Sequence, residues 1–219
     1  MMRAAWTVFR ADMALEWAAR ERVLTMALFG LLSALVFHFT LFWDESVLDR
    51  VATGGLWIAF FFSATLGLGR TFVAEKEHGA FDAMLLMPAP ADAVYVGKTA
   101  GNFLLIFLTQ VFVWSAFSLL FRLPVRSLGW LAALLGISTL GIAALGTLLA
   151  AVSVHTKKRE MLFPLLFFPL ALPLIMVGAE GWAAALAGAG AGHFLMILLA
   201  CAVLYLASGT VLFEYVARE

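Results

Sequence analysis

Residues 99–121 read TAGNFLLIFLTQVFVWSAFSLLF, a run of 23 residues without a charged side chain. A helix that crosses the roughly 30 Å hydrocarbon core of a bilayer needs about 20 predominantly apolar residues. The run does not alternate between apolar and polar positions, which indicates a helix and not a strand. The same criterion predicts six transmembrane helices, at Val23–Trp43, Val51–Gly69, Thr99–Phe121, Ser127–Val154, Met161–Ala179 and Gly192–Phe213.

The composition of the whole chain agrees with this prediction. Of the 219 residues, 64% are hydrophobic and 13% are charged, and the mean hydropathy is +1.01. A soluble domain of this size could not hide so much apolar surface from water. The formal net charge is zero, which argues against a nucleic-acid partner. The single cysteine, Cys201, cannot form an intrachain disulfide.

The positions of the basic residues predict the orientation in the membrane. Eleven of the 14 Lys and Arg residues lie in the N-terminal segment, the second and fourth loops and the C-terminus. Only Arg50, Arg122 and Arg126 lie on the other side. Because cytoplasmic loops carry the excess of basic residues, both termini are predicted to be cytoplasmic, in a bacterial inner membrane.

Residues 1–22 have the pattern of an amphipathic helix at the membrane surface. Apolar side chains recur every three or four residues, at Trp6, Phe9, Met13 and Trp17, while Arg3, Arg10 and Arg20 can stay in water. Two roles remain open for this helix. It could only anchor the first span, or it could also steer an attached partner.

Residues 70–98 form the only long hydrophilic stretch between the spans. A charged cluster, Glu75, Lys76 and Glu77, is followed by Gly79, which permits a sharp turn. Residues 80–87 predict a short helix that ends at Pro88. Its apolar side chains are Phe81, Met84, Leu85 and Leu86. Such a helix suits either a groove of another protein or the lipid surface, and the composition favours neither.

This segment carries a family resemblance. Glu75-Lys-Glu-His-Gly-Ala-Phe-Asp-Ala-Met-Leu-Leu-Met-Pro resembles the coupling-helix motif of ABC-2-type (type V) permeases. The second span, GGLWIAFFFSATLGL from Gly54, and the proline-spaced fifth span, LFPLLFFPLALPLI from Leu162, are similar to a narrower family. That family is haem exporter protein B (CcmB), the ABC transporter permease of cytochrome c maturation, and the resemblance covers essentially the whole chain.

The resemblance implies a permease that works in a complex. Two copies would pair with two CcmA-type ATPase subunits, which would bind and hydrolyse the ATP, and would assemble with a CcmC-type haem-handling membrane protein and a CcmD-type small membrane protein. ATP hydrolysis would be tied to release of a haem-loaded chaperone. Haem would be a possible cargo, and no cofactor is expected in the chain. The residues that would contact the ATPase are Glu75, Lys76, Glu77, Gly79, Phe81, Asp82, Leu85, Leu86 and Pro88.

Two other motifs are weaker. Gly97-Lys98-Thr99 is similar to the end of a phosphate-binding loop, but Asp92 stands where that loop requires a glycine. Lys98 is therefore interpreted as an interfacial charge that opens the third span. His193 and Met196 would share one helix face and are weak candidates for haem ligands, but packing of the methionine and interfacial capping by the histidine are the favoured explanations.

Features inside the spans give three further predictions. Asn102 and Gln110 are expected to form hydrogen bonds between helices, with a substrate path as the alternative. The three prolines of the fifth span are expected to kink it, and residues 181–191 to form a short re-entrant or periplasmic helix. No charged residue lies in the middle of a span, which argues against an ion pump or proton relay.

The sequence therefore predicts an all-α polytopic membrane protein, a single permease domain over residues 1–219. Two other functions stay open: an ABC-2 permease that exports a lipid, drug or polysaccharide, and a membrane scaffold that transports nothing. An enzyme is not expected, because paired catalytic carboxylates, metal-ligand clusters and a nucleophile–base set are missing from the sequence.

Overall fold

The computed structural model describes residues 2–40, 48–77, 90–121, 128–154, 156 and 158–218. These residues form helices and turns, with no strand among them. In chain order the helices are α1 (Met2–Ala19), α2 (Glu21–Thr40), α3 (Leu48–Leu68), α4 (Val73–Glu77), α5 (Ala91–Phe121), α6 (Leu128–Val154), α7 (Arg159–Leu186) and α8 (Gly192–Arg218). Six of them, α2, α3 and α5 to α8, are long and apolar enough to cross a membrane. The prediction of an all-α, multi-pass membrane protein is confirmed.

The six long helices form one bundle around α6. This helix is buried along most of its length, whereas α2 and α8 expose most of theirs to the surroundings of the bundle. The beginning of α5 meets the end of α6 and the end of α8, because the Tyr95 hydroxyl donates to the Ala144 carbonyl and the Tyr95 ring packs on Phe213. Helix α1 packs against the same part of α5, with Ala5 next to Gly97, so both chain termini lie at one end of the bundle, which we call the termini end.

The third span begins earlier than the sequence predicted. The charge-free window starts at Thr99, but α5 starts at Ala91, so Lys98 lies at the beginning of its third turn. Lys98 is buried, with a side chain only 4% exposed. The interpretation of Lys98 as an interfacial charge was therefore wrong. A charge can be accommodated there because two carboxylates reach it from other helices.

The fifth span is longer than predicted. Helix α7 runs without interruption to Leu186 and contains all three prolines, so the expected separate helix over residues 181–191 is not present. The extension is stabilised by Trp182, which is fully buried and packs edge-on against Trp57 and Trp114. Helix α7 ends in a turn where Gly188 has a positive φ of 76°, a conformation that favours glycine.

The N-terminal segment forms the predicted helix, with bounds at Met2 and Ala19. It ends at Arg20, which adopts a left-handed conformation with φ of 56°, so that α2 leaves in a new direction. The outer face of α1 exposes Trp6 and Trp17, while Asp12 on the opposite face is buried. An acidic residue on the inner face of this helix is the first sign of the charge network described next.

Candidate functional site

A buried lysine connects three helices at the termini end. The Lys98 ammonium on α5 donates to Asp12 of α1 at 2.5 Å and to the Glu75 carboxylate of α4. The side chains of Lys98 and Asp12 are 4% and 5% exposed, and that of Glu75 is 14% exposed. A buried ammonium needs several partners to replace water, and here the two carboxylates supply them. Helix α4, which leads into residues 78–89, is thereby held to α1 and α5.

A second buried cation lies beside the first. The Arg22 guanidinium at the start of α2 forms an ion pair with Glu16 of α1 at 2.9 Å and donates to the Asn102 side-chain oxygen at 2.6 Å. Asn102 is fully buried and also accepts a hydrogen bond from Thr71 and donates one to Thr147. One amide thus connects α2, α5, α6 and the turn after α3.

The hydrogen bonds of Asn102 confirm the prediction that polar groups of the third span join helices. Gln110 behaves in the same way, because its side-chain oxygen accepts a hydrogen bond from Thr139 on α6. The partners of both amides lie on neighbouring helices, which is the arrangement expected where no water is available to solvate an amide.

Acids outnumber bases in this network. Asp12, Glu16 and Glu75 face Lys98 and Arg22, which gives a formal charge of −1 when all five are ionised. Burial raises the pKa of the Glu16 carboxyl, and the nearby Arg22 charge opposes that rise only in part. The Glu16 carboxyl therefore holds a proton to higher pH than a glutamate in water does.

Two glycines explain how α1 comes so close to α5. A Cβ on Gly97 would lie 2.7 Å from the Ala5 carbonyl oxygen and 2.8 Å from the Val8 Cβ, and a Cβ on Gly101 would lie 2.6 Å from Asp12 Oδ2. Residues 97–101 therefore form a small-xxx-small face against which the backbone of α1 packs, with Lys98 beside it. The role of Gly97-Lys98-Thr99 in this structure is helix packing.

The turn between α3 and α4 is fixed by the same residues. Phe72 has a left-handed φ of 67°, which is unfavourable for a bulky side chain. Its ring is fully buried, packs on Phe213 of α8, and has the Lys98 ammonium 5.3 Å from its centroid. Burial of the ring and the hydrogen bond of the neighbouring Thr71 hold this conformation in place.

The network forms one wall of a cavity of about 630 Å³ at the termini end. Helix α1, the start of α2, the end of α3, helix α4 and the starts of α5 and α7 all contribute to its lining. Its lining combines the buried charges with exposed ones, Glu21, Arg70 and Glu160, and with apolar side chains. A cavity with both kinds of wall can hold an amphipathic molecule.

The structure divides the predicted ATPase-contacting residues into two groups. Glu75 lies on α4 and its carboxylate is directed inward to Lys98, and its contact with an ATPase stays a prediction. Lys76 is half-buried on the same helix, which ends at Glu77. Gly79, Phe81, Asp82, Leu85, Leu86 and Pro88 lie outside the described residues, and their role stays a prediction.

The two weak haem candidates lie apart from the network. His193 and Met196 are both exposed on the first turns of α8, and Met196 is 74% exposed. Among the residues that the structure describes, no group of three or more His, Cys, Asp or Glu side chains is arranged to hold a metal ion.

Sequence reasoning missed Asp12, Glu16 and Arg22. The signal was present, because Asp12 and Glu16 lie one turn apart on α1. Two acids on one helix face are a candidate site for pairing with cations of another helix. Gly97 and Gly101 at a spacing of four were a second signal, and together the two patterns indicate that α1 packs on α5.

Comparison with known proteins shows which family the chain belongs to. The family model described as "CcmB protein" matches residues 3–215. Relatives named "Heme exporter protein B" include one from Rhodobacter capsulatus, 34% identical over 134 residues, and one from Paracoccus denitrificans, 32% identical over 164 residues. The first alignment covers 61% of this chain and 62% of that relative, just under two thirds of its length, and the second covers 75% of each protein. The match to the family model extends over nearly the whole chain, so the chain is a member of the CcmB family.

Proposed function

We propose that this chain is the membrane permease subunit of an ATP-driven ABC transporter that serves haem export in c-type cytochrome biogenesis. The name of its relatives, "Heme exporter protein B", supports the haem-related role. Six apolar helices agree with a permease, and ATP hydrolysis is assigned to a separate CcmA-type ATPase. In the same proposal, the cycle releases a haem-loaded chaperone on the far side of the membrane.

The observation that carries the proposal is the attachment of α4 to the bundle. Residues 78–89 follow α4 directly, and α4 is held to α1 and α5 through the bridge from Glu75 to Lys98 and Asp12. A force applied to residues 78–89 by an ATPase would therefore be transmitted to three helices at once. This is the physical requirement for a free-energy linkage between the nucleotide state and the conformation of the membrane helices.

The proposed assembly follows from the same placement. In this proposal the termini end faces the cytoplasm, where an ATPase is available, and the bilayer is the bacterial inner membrane; the excess of basic residues in the N-terminal segment, the even loops and the C-terminus supports that orientation. Phe81, Leu85 and Leu86 would enter a groove of the ATPase, and Asp82 would pair with basic residues at its rim. A second copy of the chain, a CcmC-type protein and a CcmD-type protein would complete the complex.

Co-purification tests the contact with the ATPase. Phe81→Asp should abolish recovery of the ATPase with the tagged chain, because it places a charge where an apolar anchor is required. His78→Asp is the matched control, since it adds a negative charge to the same segment without removing an apolar side chain. Retention of the ATPase by the Phe81 variant, with normal insertion into the membrane, would refute the assignment.

A second measurement separates transport from scaffolding. A coupled permease should make the ATPase activity of the complex depend on this chain and remain sensitive to vanadate. The comparison is between the ATPase in the assembled complex and the ATPase without this chain. If both hydrolyse ATP at the same rate, the scaffold function is favoured and the proposed coupling fails.

A further inference from the structure

The cavity at the termini end has a charged inner wall. Asp12, Glu16, Glu75, Arg22 and Lys98 all contribute to it. Both cations are already bound by the protein, because Lys98 lies between two carboxylates and Arg22 binds Glu16 and Asn102. The inner wall therefore offers little free positive charge to a ligand.

The rim of the cavity adds further acids. Glu21 and Arg70 lie 3.5 Å apart and both are largely exposed, and Glu160 at the start of α7 lies on the same lining. Among the lining residues that the structure describes, five carboxylates face three cations, a formal charge of −2. A cationic group is therefore the part of a ligand that this cavity attracts, and Arg70 is the most exposed cation for an accompanying anionic group.

Most of the remaining lining is apolar, and part of it belongs to two of the candidate membrane spans. Leu66 near the end of α3 and Pro164 near the start of α7 are both exposed, and Phe163 lies behind them. Helices α3 and α7 are both membrane spans, and these residues lie within a few turns of their ends at the termini end. In a bilayer of ordinary thickness, the ends of these two spans would lie near the level where acyl chains join their headgroups.

We propose that this cavity binds a phospholipid whose headgroup carries a primary ammonium, such as phosphatidylethanolamine. The ammonium would donate hydrogen bonds to the carboxylates of the lining, the phosphate would lie near Arg70, and the acyl chains would follow Leu66 and Pro164 into the bilayer. A phospholipid is available wherever these spans cross a bilayer, so this occupant needs no separate delivery. The proposal does not depend on the partnership with an ATPase.

Charge argues against the other amphiphiles. Phosphatidylglycerol and haem both carry net negative charge, and the surplus of carboxylates repels them. Phosphatidylcholine has a cationic group but no N–H, so it cannot donate hydrogen bonds to a carboxylate. A free primary amine would lack the acyl chains that the apolar wall accommodates.

Native mass spectrometry of the full chain, released from detergent micelles, tests this proposal. Phosphatidylethanolamine, phosphatidylcholine and phosphatidylglycerol of identical acyl composition are added in turn. One phosphatidylethanolamine per chain should be retained at least about fivefold more than either competitor, the factor expected for one net ion-pair contact. Soluble glycerophosphoethanolamine, which has the headgroup without chains, should not be retained.

Two variants and their controls localise the binding. Leu66→Trp fills the apolar end of the cavity without changing its charge, and Leu199→Trp is the matched control at a half-exposed position on α8, outside the cavity. Glu16→Gln removes one carboxylate from the lining, and Glu180→Gln removes an exposed one at the far end of α7. Glu16→Gln should lower retention of phosphatidylethanolamine about fivefold. Leu66→Trp should abolish its preferential retention, and neither control should change it.

Several results would overturn the proposal. Equal retention of the three lipids, or retention that Leu66→Trp leaves unchanged, would show that the cavity does not select this headgroup. Displacement of bound phosphatidylethanolamine by added haem would assign the cavity to an anionic ligand. Equal binding of glycerophosphoethanolamine would assign it to a soluble amine.

Discussion

Replacement of Lys98 by methionine tests the network most directly. Methionine has nearly the length of lysine but no charge, so Asp12 and Glu75 would lose their shared cation while the packing of α5 changes little. The formal charge of the five-residue network would go from −1 to −2. Removal of one partner from a buried ion pair costs about 3–5 kcal/mol, because the other charge stays buried without compensation.

Replacement of Asp12 by asparagine should be much milder, although it breaks the same ion pair. The asparagine keeps a side-chain oxygen that accepts from Lys98, and Lys98 keeps Glu75. The remaining acids, Glu16 and Glu75, then match the two cations in number, so the formal charge of the network becomes zero. The expected cost is about 1 kcal/mol, that of one weakened hydrogen bond to a charged group.

The assay is thermal unfolding of the purified chain in a mild detergent, followed by loss of the monodisperse peak in size-exclusion chromatography. For a chain of this size, 3–5 kcal/mol corresponds to a decrease in Tm of roughly 6–20 °C, and 1 kcal/mol to roughly 2–4 °C. Adding Asp12→Asn to Lys98→Met should recover part of the lost Tm, since it returns the network to its original formal charge. The reasoning is refuted if the two single variants have equal Tm, or if the double variant is less stable than Lys98→Met alone.

Two further predictions concern the docking of α1 and the proton of Glu16. Gly97→Ala should lower the free energy of unfolding by about 1–3 kcal/mol in the same thermal assay, because the new Cβ would meet the backbone of α1. The control Gly136→Ala, where no atom lies within 4 Å of the new Cβ, should raise it by up to about 1 kcal/mol. Equal effects of the two substitutions would contradict the packing of α1 on α5. Burial raises the pKa of Glu16, so the folded chain binds this proton more tightly than the unfolded chain, and the free energy of unfolding should fall as pH rises from the ordinary value of 4.5 through the raised one. Glu16→Gln should remove this component, which a series of Tm measurements from pH 4.5 to 8 would detect; parallel curves for the two proteins would exclude it.

The six spans were readable from the sequence because the requirement that defines them is local. A helix in a bilayer satisfies its own backbone hydrogen bonds, so a long enough apolar window is sufficient to specify it. The same reasoning placed α6 within one residue of its observed start. It failed where long-range contacts decide the boundary: α5 extends back past Lys98 because carboxylates neutralise it, and α7 extends to Leu186 because Trp182 packs against tryptophans of other helices.

The sequence by itself determined the class of protein, the number of spans and the segment that resembles a coupling helix, since each depends on residues that are neighbours in the chain. Only the tertiary structure decided which charges meet. Lys98 is 86 residues from Asp12 and 23 from Glu75, and Arg22 is 80 residues from Asn102. Composition and periodicity do not record which helix faces come together, and in a low-dielectric interior that juxtaposition determines whether a charge is an interfacial anchor or the centre of a buried network.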